Sequence, residues 1–282
     1  MTPSILGRVA AAAIVAILLA APVAGAKPSP LAAAVAGPNR SADALARDVA
    51  RHPAETLAFW GLKPRQTVIE ISPGGGYWTE ILAPYAKATR GRYVAAVADL
   101  DNPQLSEAAR KNRAAFEAKY ADPAKWGQVA YVGFGPQSKP LGKPGSADMV
   151  ITARNIHNWM WAPGALDKAM GDFYAVLKPG GVLAVEEHRA DPRPQVPEAR
   201  DGYVSVANAV AAAEKAGFKL AAQSEVNANP KDTKDHPFGV WTLPPVRMNS
   251  RPGVETPADF DRAKYDAIGE SDRMTLRFVK PR

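Results

Sequence analysis

Short apolar runs alternate with segments of helical period along most of the chain. The β-branched run TVIEI at 67–71 predicts a first buried strand, and YVAAVA at 93–98 predicts a second. In 163–177 the apolar positions recur every three to four residues, as on one face of a helix. By the same patterns, further strands are predicted at 129–132, 148–152, 182–186, 218–224 and 274–279, and further helices at 41–51, 53–61, 79–87, 104–120, 203–216 and 257–268.

This alternation favours the α/β class. It predicts a Rossmann-like, seven-stranded, mostly parallel sheet with helices on both faces, because each parallel connection needs a crossover helix. No helical crossover of the usual kind separates the last two predicted strands, so we expect them to pair as an antiparallel hairpin with 227–273 as an excursion between them. Ligands of such sheets bind beyond the carboxyl ends of the strands, which directs attention to the loops at that edge.

Residues 1–26 have the pattern of an export signal. Arg8 precedes an uncharged, Ala-rich run that ends in the small-x-small sequence Ala24-Gly25-Ala26. The pattern predicts cleavage before Lys27 and a periplasmic or secreted protein without a stable membrane span. The alternative is an uncleaved anchor, because eighteen apolar residues nearly span a bilayer.

The segment 27–40 contains three prolines and few large apolar side chains, so it predicts a flexible lead-in to a domain over 41–282. Composition narrows the chemistry further. The chain of 282 residues has 35 Lys+Arg, 28 Asp+Glu and no cysteine, which excludes disulfides, thiolate nucleophiles and Cys-ligated zinc. Its basic residues are scattered rather than interleaved with aromatics, so no nucleic-acid partner is predicted, and nothing in the sequence indicates an oligomeric state.

The loop after the first predicted strand carries the best ligand signal. Gly74, Gly75 and Gly76 lie between a strand and a helix, where glycine lets the backbone approach a ligand closely. A dinucleotide fingerprint would need Gly or Ala where Thr79 stands, and a phosphate-binding loop would need Gly-Lys-Ser/Thr, which is absent. Glu70, at the end of the strand, would repel a pyrophosphate and attract an ammonium group.

Four motifs, in this order, resemble those of the class I S-adenosylmethionine-dependent methyltransferases. They are PGGGYWTEILAPY at 73–85, RNIHNW at 154–159, LKPGG at 177–181 with EHRA at 187–190, and AGF at 216–218. More narrowly, the chain is similar to a group of exported, predicted methyltransferases of bacteria. The resemblance covers nearly all of the chain after the signal, and it implies the class I methyltransferase fold with S-adenosylmethionine as cofactor. Ser72 departs from the family's first motif, which has glycine there.

The resemblance also implies which residues bind the cofactor. The acid after the second strand would accept hydrogen bonds from both ribose hydroxyls, and Asp99 is preferred there, with Asp101 as the alternative. The family commonly has another acid after the third strand, near the adenine, but this chain has none in 133–135. The implied cofactor-binding residues are Glu70, Ser72, Gly74, Gly75, Gly76, Asp99 and Asn155.

Two histidines are candidates for catalysis. His157 lies in the loop that would face the methyl group and the acceptor, and it is predicted to act as a base, with His188 as the second candidate. A lone histidine is more often structural, and Trp159 and Trp161 of the same loop fit core packing equally well. The four histidines of the chain show no metal-ligand spacing, so no metal is predicted.

The sequence therefore predicts an exported methyltransferase that acts on a small-molecule acceptor. The alternative is a non-catalytic periplasmic binding or interaction protein that keeps the fold. This alternative is retained because S-adenosylmethionine is made in the cytoplasm, so that an exported enzyme would need a supply of it.

Overall fold

The computed structural model of the protein describes residues 27–192, 194 and 196–282. The predicted signal segment 1–26 lies outside these residues. Among the helices that the structure describes, none is both long enough and apolar enough to cross a membrane.

Within the described residues, seven strands form one sheet in the order β3-β2-β1-β4-β5-β7-β6. Neighbouring strands from β3 to β5 pair in parallel, whereas β7 is antiparallel to both β5 and β6. This arrangement confirms the predicted Rossmann-like sheet and the pairing of the last two strands. The strands are β1 Thr67–Ile71, β2 Arg92–Ala98, β3 Val129–Phe134, β4 Ala147–Ala153, β5 Leu177–His188, β6 Lys219–Ser224 and β7 Arg273–Val279.

Helices cover both faces of the sheet, as the alternation of elements predicts. Because successive strand residues point to opposite faces, Ile69 packs in the cluster with Phe173 of α9, while Val68 packs in the cluster with Ile81 of α5. The helices are α1 Pro30–Val35, α2 Ala42–Ala46, α3 Asp48–Arg51, α4 Pro53–Trp60, α5 Thr79–Thr89, α6 Glu107–Lys119, α7 Pro123–Trp126, α8 Ile156–Trp159, α9 Ala165–Val176, α10 Val206–Lys215 and α11 Arg262–Ile268, with 3-10 turns at Pro197–Ala199 and Gly239–Thr242.

The segment 27–40, predicted as a flexible lead-in, contains the helix α1 at Pro30–Val35. Ser29 caps α1 by accepting a hydrogen bond from the backbone of Ala32, and α1 packs against α5 with Ala34 buried. Arg40 is also buried and donates to both carboxylate oxygens of Asp48. Small alanine side chains suffice for this packing because they let a helix approach its neighbour closely.

Most predicted bounds differ from the structure by one to three residues, and two helices and one strand differ more. The helix predicted over 41–51 is divided at Arg47 into α2 and α3, and the helix predicted over 257–268 begins only after Asp261, whose side chain caps α11. Strand β5 extends beyond 182–186 on both sides, since its last residues pair with β7. These differences bring Arg47 and the end of β5 to the same edge of the sheet.

Candidate functional site

Two cavities adjoin the glycine loop at the carboxyl ends of β1 and β4, where the strand order changes direction. Cavity A, of about 560 Å³, extends from the loop to Trp241 and Arg273. Cavity B, of about 450 Å³, lies between the loop, the end of β2 and α6. The two cavities share the lining residues Ser72, Pro73, Gly74 and Asn155, so they adjoin each other at the glycine loop.

The three glycines of the loop have different roles. A Cβ atom at Gly74 or Gly75 would meet no atom within 4 Å, so the missing side chains leave open space where the loop borders cavity A. At Gly76, where φ is +88°, a Cβ would lie 1.9 Å from the hydroxyl of Tyr120. Gly76 lines neither cavity, and its implied contact with a cofactor is replaced by a packing role against Tyr120.

Glu70 lies on β1 beneath the loop and lines cavity A. Its side chain is buried, and one carboxylate oxygen accepts hydrogen bonds from the hydroxyls of Tyr93 (2.6 Å) and Thr79 (2.9 Å). Burial raises the pKa of Glu70 from 4.5 to about 7, although the two hydrogen bonds oppose the shift. Ionised Glu70 would therefore gain from a nearby cation in the cavity.

The structure does not place the predicted ribose acid in either cavity. One carboxylate oxygen of Asp99 accepts from the backbone of Asp101 (3.2 Å), and the side chain lies against Gly133. Asp101 pairs with Lys139 at the surface (2.8 Å) and lines neither cavity. The glycine of β3 explains this placement, because a Cβ there would lie 2.6 Å from the Asp99 carboxylate.

Polar side chains of α6, rather than Asp99, line cavity B. Asn112 and Arg113 line this cavity beside Val97 and Phe116. Arg113 also donates to the backbone oxygen of Ala98 at 2.7 Å, which joins α6 to the end of β2. The sequence gives no sign of this, since the helical pattern at 104–120 makes both residues look solvated.

Asn155 lines both cavities, as expected of a residue beside the cofactor. Its side-chain amide donates to the backbone oxygens of Ile71 (3.1 Å) and Ala153 (3.2 Å), and thereby connects the ends of β1 and β4. Ser72 also lines both cavities, with its backbone in the left-handed region at φ +48°. The seven implied cofactor residues are thus divided: five line a cavity, while Gly76 and Asp99 do not.

The two predicted catalytic histidines lie together in cavity A. Their ring centroids are 5.4 Å apart. Glu187, which precedes His188 on β5, forms hydrogen bonds with both residues. One Glu187 oxygen accepts from Nδ1 of His157 (2.9 Å) and from the backbone of His188 (2.8 Å), while the other accepts from the backbone of Ile156 (2.6 Å). A carboxylate with three such donors orients the His157 ring and leaves its Nε2 as the hydrogen-bond acceptor.

His188 has a different environment from His157. Its Nδ1 lies 2.5 Å from the hydroxyl of Ser271, at the end of the excursion. Burial, followed by the charges of His157 and Arg154, holds the pKa of His188 well below its usual value. His188 is therefore neutral near pH 7, and it supports the site rather than supplying a proton.

His157 and Trp241 line cavity A, and the ring of Trp161 packs against both; these three residues are called the aromatic wall. The ring centroids of these residues are 5.8 to 6.0 Å apart. Trp159 packs instead against Phe134 at 5.7 Å, on the core side. Of the two tryptophans that the sequence left undecided, Trp159 belongs to the core and Trp161 adjoins the site.

Four arginines from separate segments meet near this wall. Glu270 forms ion pairs with Arg47 (2.6 Å), Arg51 (3.0 Å) and Arg273. Glu186 forms an ion pair with Arg273 (3.0 Å). Burial is the main cause that lowers the pKa of Arg154 to about 10 and that of Arg273 to about 9. This arginine cluster consists of Arg47, Arg51, Arg154 and Arg273.

Comparison with solved structures identifies the fold. The chain superposes with a TM-score of 0.50 on a protein assigned as a methyltransferase, in complex with the Haloferax volcanii Trm112 activator; the two share 16% identity, and the match covers 86% of this chain and 94% of that one. It superposes with the same TM-score on the [4+2]-cyclase SpnF, with 14% identity over 87% of this chain and 85% of that one. The TM-score is again 0.50 for a protein assigned as a sarcosine dimethylglycine methyltransferase from Galdieria sulphuraria, with 13% identity over 83% of this chain and 84% of that one. The chain has the class I methyltransferase fold. No protein-family model and no curated protein matches it.

The sequence did not identify the side chains whose contacts join segments on different strands. The sequence indicated Glu187 only as the residue before His188, and Arg273 only as the last residue of the excursion. In the structure Arg273 is paired directly opposite His188 in the β5–β7 ladder. A regular sequence signal for this contact does not exist, because it depends on the register of two strands that are distant in the chain.

Proposed function

We propose that the chain is an exported, S-adenosylmethionine-dependent methyltransferase that acts on a small-molecule acceptor. The observation that carries this proposal is the pair of adjoining cavities that share Ser72, Gly74 and Asn155, at the strand ends where this fold binds ligands. Between them, they offer an elongated site with one largely apolar end and one highly charged end.

The residues fit the proposed cofactor in chemistry as well as in shape. Val97, Phe116 and Phe134 give cavity B apolar walls that suit a nucleoside. At the loop end of cavity A, Glu70 suits the ammonium of an amino-acid moiety, and Lys119, which is paired with Glu80 at 2.8 Å, lies near enough to its carboxylate to contribute. When bound, S-adenosylmethionine supplies an electrophilic methyl group on a sulfonium.

His157 is the proposed general base. Glu187 holds its Nδ1 protonated, so Nε2 can accept the proton that the acceptor's nucleophile loses. Around it, Trp241, Leu243 and Pro244 of the excursion wall off cavity A, which helps to exclude water and to align the acceptor. The proton transfer thus needs only residues of this chain.

Export is proposed from residues 1–26, whose signal pattern lies outside the described structure. The absence of cysteine is consistent with folding in an oxidising compartment, since no thiol is available for unwanted oxidation. The buried sheet then has to provide stability without disulfides.

Calorimetric titration of the purified protein with S-adenosylmethionine tests the proposal. We expect binding in the wild type and at least about tenfold weaker binding in Gly75→Leu, because the new side chain fills the space beside the loop. Gly171→Leu is the matched control, since Gly171 also has open space around its Cβ position but lies on the exposed side of α9. Absence of binding at about 1 mM ligand, with folded protein confirmed by circular dichroism, would contradict the proposal.

A specific observation favours a second candidate, a non-catalytic binding or interaction protein with this fold. Asp99 does not line the cavity in which a ribose would lie, and 133–135 supply no second acid. The titration separates the two candidates, because the second predicts a folded protein that does not bind the cofactor.

A further inference from the structure

The arginine cluster has more positive charge than the nearby carboxylates neutralise. Among the described residues, four guanidinium groups face three carboxylates, those of Glu186, Glu187 and Glu270. Glu187 also accepts hydrogen bonds from His157 and from backbone donors, which leave its charge in place, so the surplus is one positive charge. A buried charge without a partner is costly, so the surplus indicates that another anion belongs there.

Individual nitrogen atoms show the same deficit. Within the described part of the chain, Nε of Arg154, Nε of Arg273 and both terminal nitrogens of Arg51 are buried without a hydrogen-bond partner. Nε of Arg154 lies 4.0 Å from Glu186, which is beyond hydrogen-bond distance. Oε2 of Glu186 is also buried without a partner in the same part of the chain, so these unpaired donors outnumber the unpaired acceptor by four to one. Unpaired buried donors are rare in proteins, and a bound ion or ligand is one way to satisfy them.

Arg154 itself is held in an unusual backbone conformation. Its φ is +61°, in the left-handed region that residues with a side chain seldom adopt, and its backbone donates to the oxygen of Glu186 at 2.7 Å. Strain of this type concentrates at binding and catalytic sites. Here it occurs at an arginine that lines cavity A, directly after β4.

The same charges argue against a metal ion at the neighbouring histidines. Ligand atoms of His157, Glu187 and His188 lie within 4.8 Å of one another, a spacing that would suit a metal. Nδ1 of His157 and Glu187 are engaged with each other, however, and the arginines that lower the pKa of His188 would repel a cation equally. The positive charges at this end of cavity A therefore favour the binding of an anion over that of a cation.

The cluster extends away from the glycine loop: Arg51 lies over the ring of Tyr77 beside the loop, 4.4 Å from its centroid, whereas Arg273 lies at the far end. The glycine loop follows β1, whereas Arg273 begins β7, which is three strand positions away in the order β1-β4-β5-β7. At about 4.8 Å per strand, this places the Arg273 backbone about 14 Å from the end of β1. Arg154, after β4, lies between the two, beside the proposed base His157.

We propose that cavity A binds the acceptor through a carboxylate or phosphate group, which Arg154 contacts directly and which Arg47 and Arg273 neutralise from behind. This inference rests on the proposed function in identifying the ligand as the acceptor; the anion site stands on the arginine cluster alone. Bidentate geometry makes a guanidinium the preferred partner of such groups. The aromatic wall adds a surface for an apolar or aromatic body.

Benzoate and inorganic phosphate are suitable probes, and benzyl alcohol is the neutral match for benzoate. We expect benzoate to bind the wild-type protein at least about tenfold more tightly than benzyl alcohol, as expected for one charge-assisted hydrogen-bonded pair. Calorimetry is performed on the full protein, both free and saturated with S-adenosylhomocysteine. We expect the same benzoate and phosphate affinities in both states, because the acceptor and the cofactor occupy different parts of the site.

Substitution locates the site. We expect Arg154→Gln to weaken benzoate and phosphate binding by about tenfold or more and to leave S-adenosylhomocysteine binding unchanged. Arg65→Gln is the matched control, since Arg65 has nearly the same backbone conformation (φ +65°) but is exposed before β1, at the other end of the strand. Arg47→Gln gives a second test that does not depend on the fold tolerating a change at Arg154.

Several results would overturn the inference. Equal affinities for benzoate and benzyl alcohol in the wild type would exclude an anion site without recourse to any variant. Exclusion of both anions by S-adenosylhomocysteine, or a loss of S-adenosylhomocysteine binding in Arg154→Gln, would assign the cluster to the cofactor's carboxylate. If S-adenosylhomocysteine fails to bind while the anions still depend on Arg154, the proposed function falls and the anion site remains.

Discussion

Glu70 offers the sharpest quantitative test of the site, because its carboxyl group is buried beneath the glycine loop. Burial raises its pKa from 4.5 to about 7, even though Tyr93 and Thr79 donate hydrogen bonds to it. The substitution Glu70→Gln removes the titration but keeps an oxygen that can accept both bonds. The comparison of wild type and variant therefore isolates the cost of ionising this one group.

The direction in which the free energy of unfolding changes with pH follows from the order in which the unfolded and folded proteins lose the proton of Glu70. Below pH 4.5 the carboxyl is protonated in both the unfolded and the folded protein, so it contributes no pH dependence. Between pH 4.5 and 7 the unfolded chain ionises first, and the stability of the folded state falls as the pH rises. A shift from 4.5 to about 7 corresponds to a loss of about 3 kcal/mol, complete above pH 7.

Urea unfolding at pH 4.5 and pH 8 measures this loss. Relative to the wild type, Glu70→Gln should gain about 3 kcal/mol in free energy of unfolding between the two pH values. Glu107→Gln is the control, because Glu107 is exposed on α6 and its pair with Lys111 is solvated; its difference from the wild type should change by less than about 0.5 kcal/mol. A pH-independent difference for Glu70→Gln would refute the burial of an ionisable group at this position.

Two further predictions concern the base and the loop. In ¹⁵N NMR of the imidazoles, His157 should be a single tautomer protonated at Nδ1, and Glu187→Gln should lose this uniformity; an unchanged tautomer would show that Glu187 does not orient the ring. Gly76→Ala should cost about 3 kcal/mol or more, because its Cβ would collide with Tyr120, whereas Gly145→Ala, at φ +67° in open space, should cost only about 1 kcal/mol. Equal losses in urea unfolding would contradict the packing role of Gly76.

Much of the fold could be predicted from local patterns. The run TVIEI becomes β1 with the predicted bounds, and the predicted strand at 148–152 lies within β4. Such strands are buried on both faces, so their continuous apolar character identifies them without any knowledge of their neighbours. The bounds of β5 could not be found in this way, because its last residues, up to His188, are fixed by pairing with β7.

The site was predictable where it depends on a single loop. Gly74, Gly75 and His157 all line cavity A, and each was singled out by its position after a strand. Asp99 also follows its strand, but the neighbouring glycine of β3 lets its side chain lie away from both cavities. The contact of Arg273 with Glu186 joins residues 87 positions apart, which no local pattern can encode.

Strand β5 explains why the base and the anion site are adjacent. Successive residues of a strand point to opposite faces, so Glu186 and Glu187 serve different partners: Glu186 pairs with Arg273 on one face, and Glu187 holds His157 on the other. A shift of one residue in the β5–β7 register would turn Arg273 to the other face and separate it from Glu186, whereas the contact of Glu187 with His157 depends on the pairing of β5 with β4. Strand β5 therefore connects the two parts of the site: Glu187 holds the proposed base His157, which follows β4 together with Arg154, and Glu186 holds Arg273 of β7.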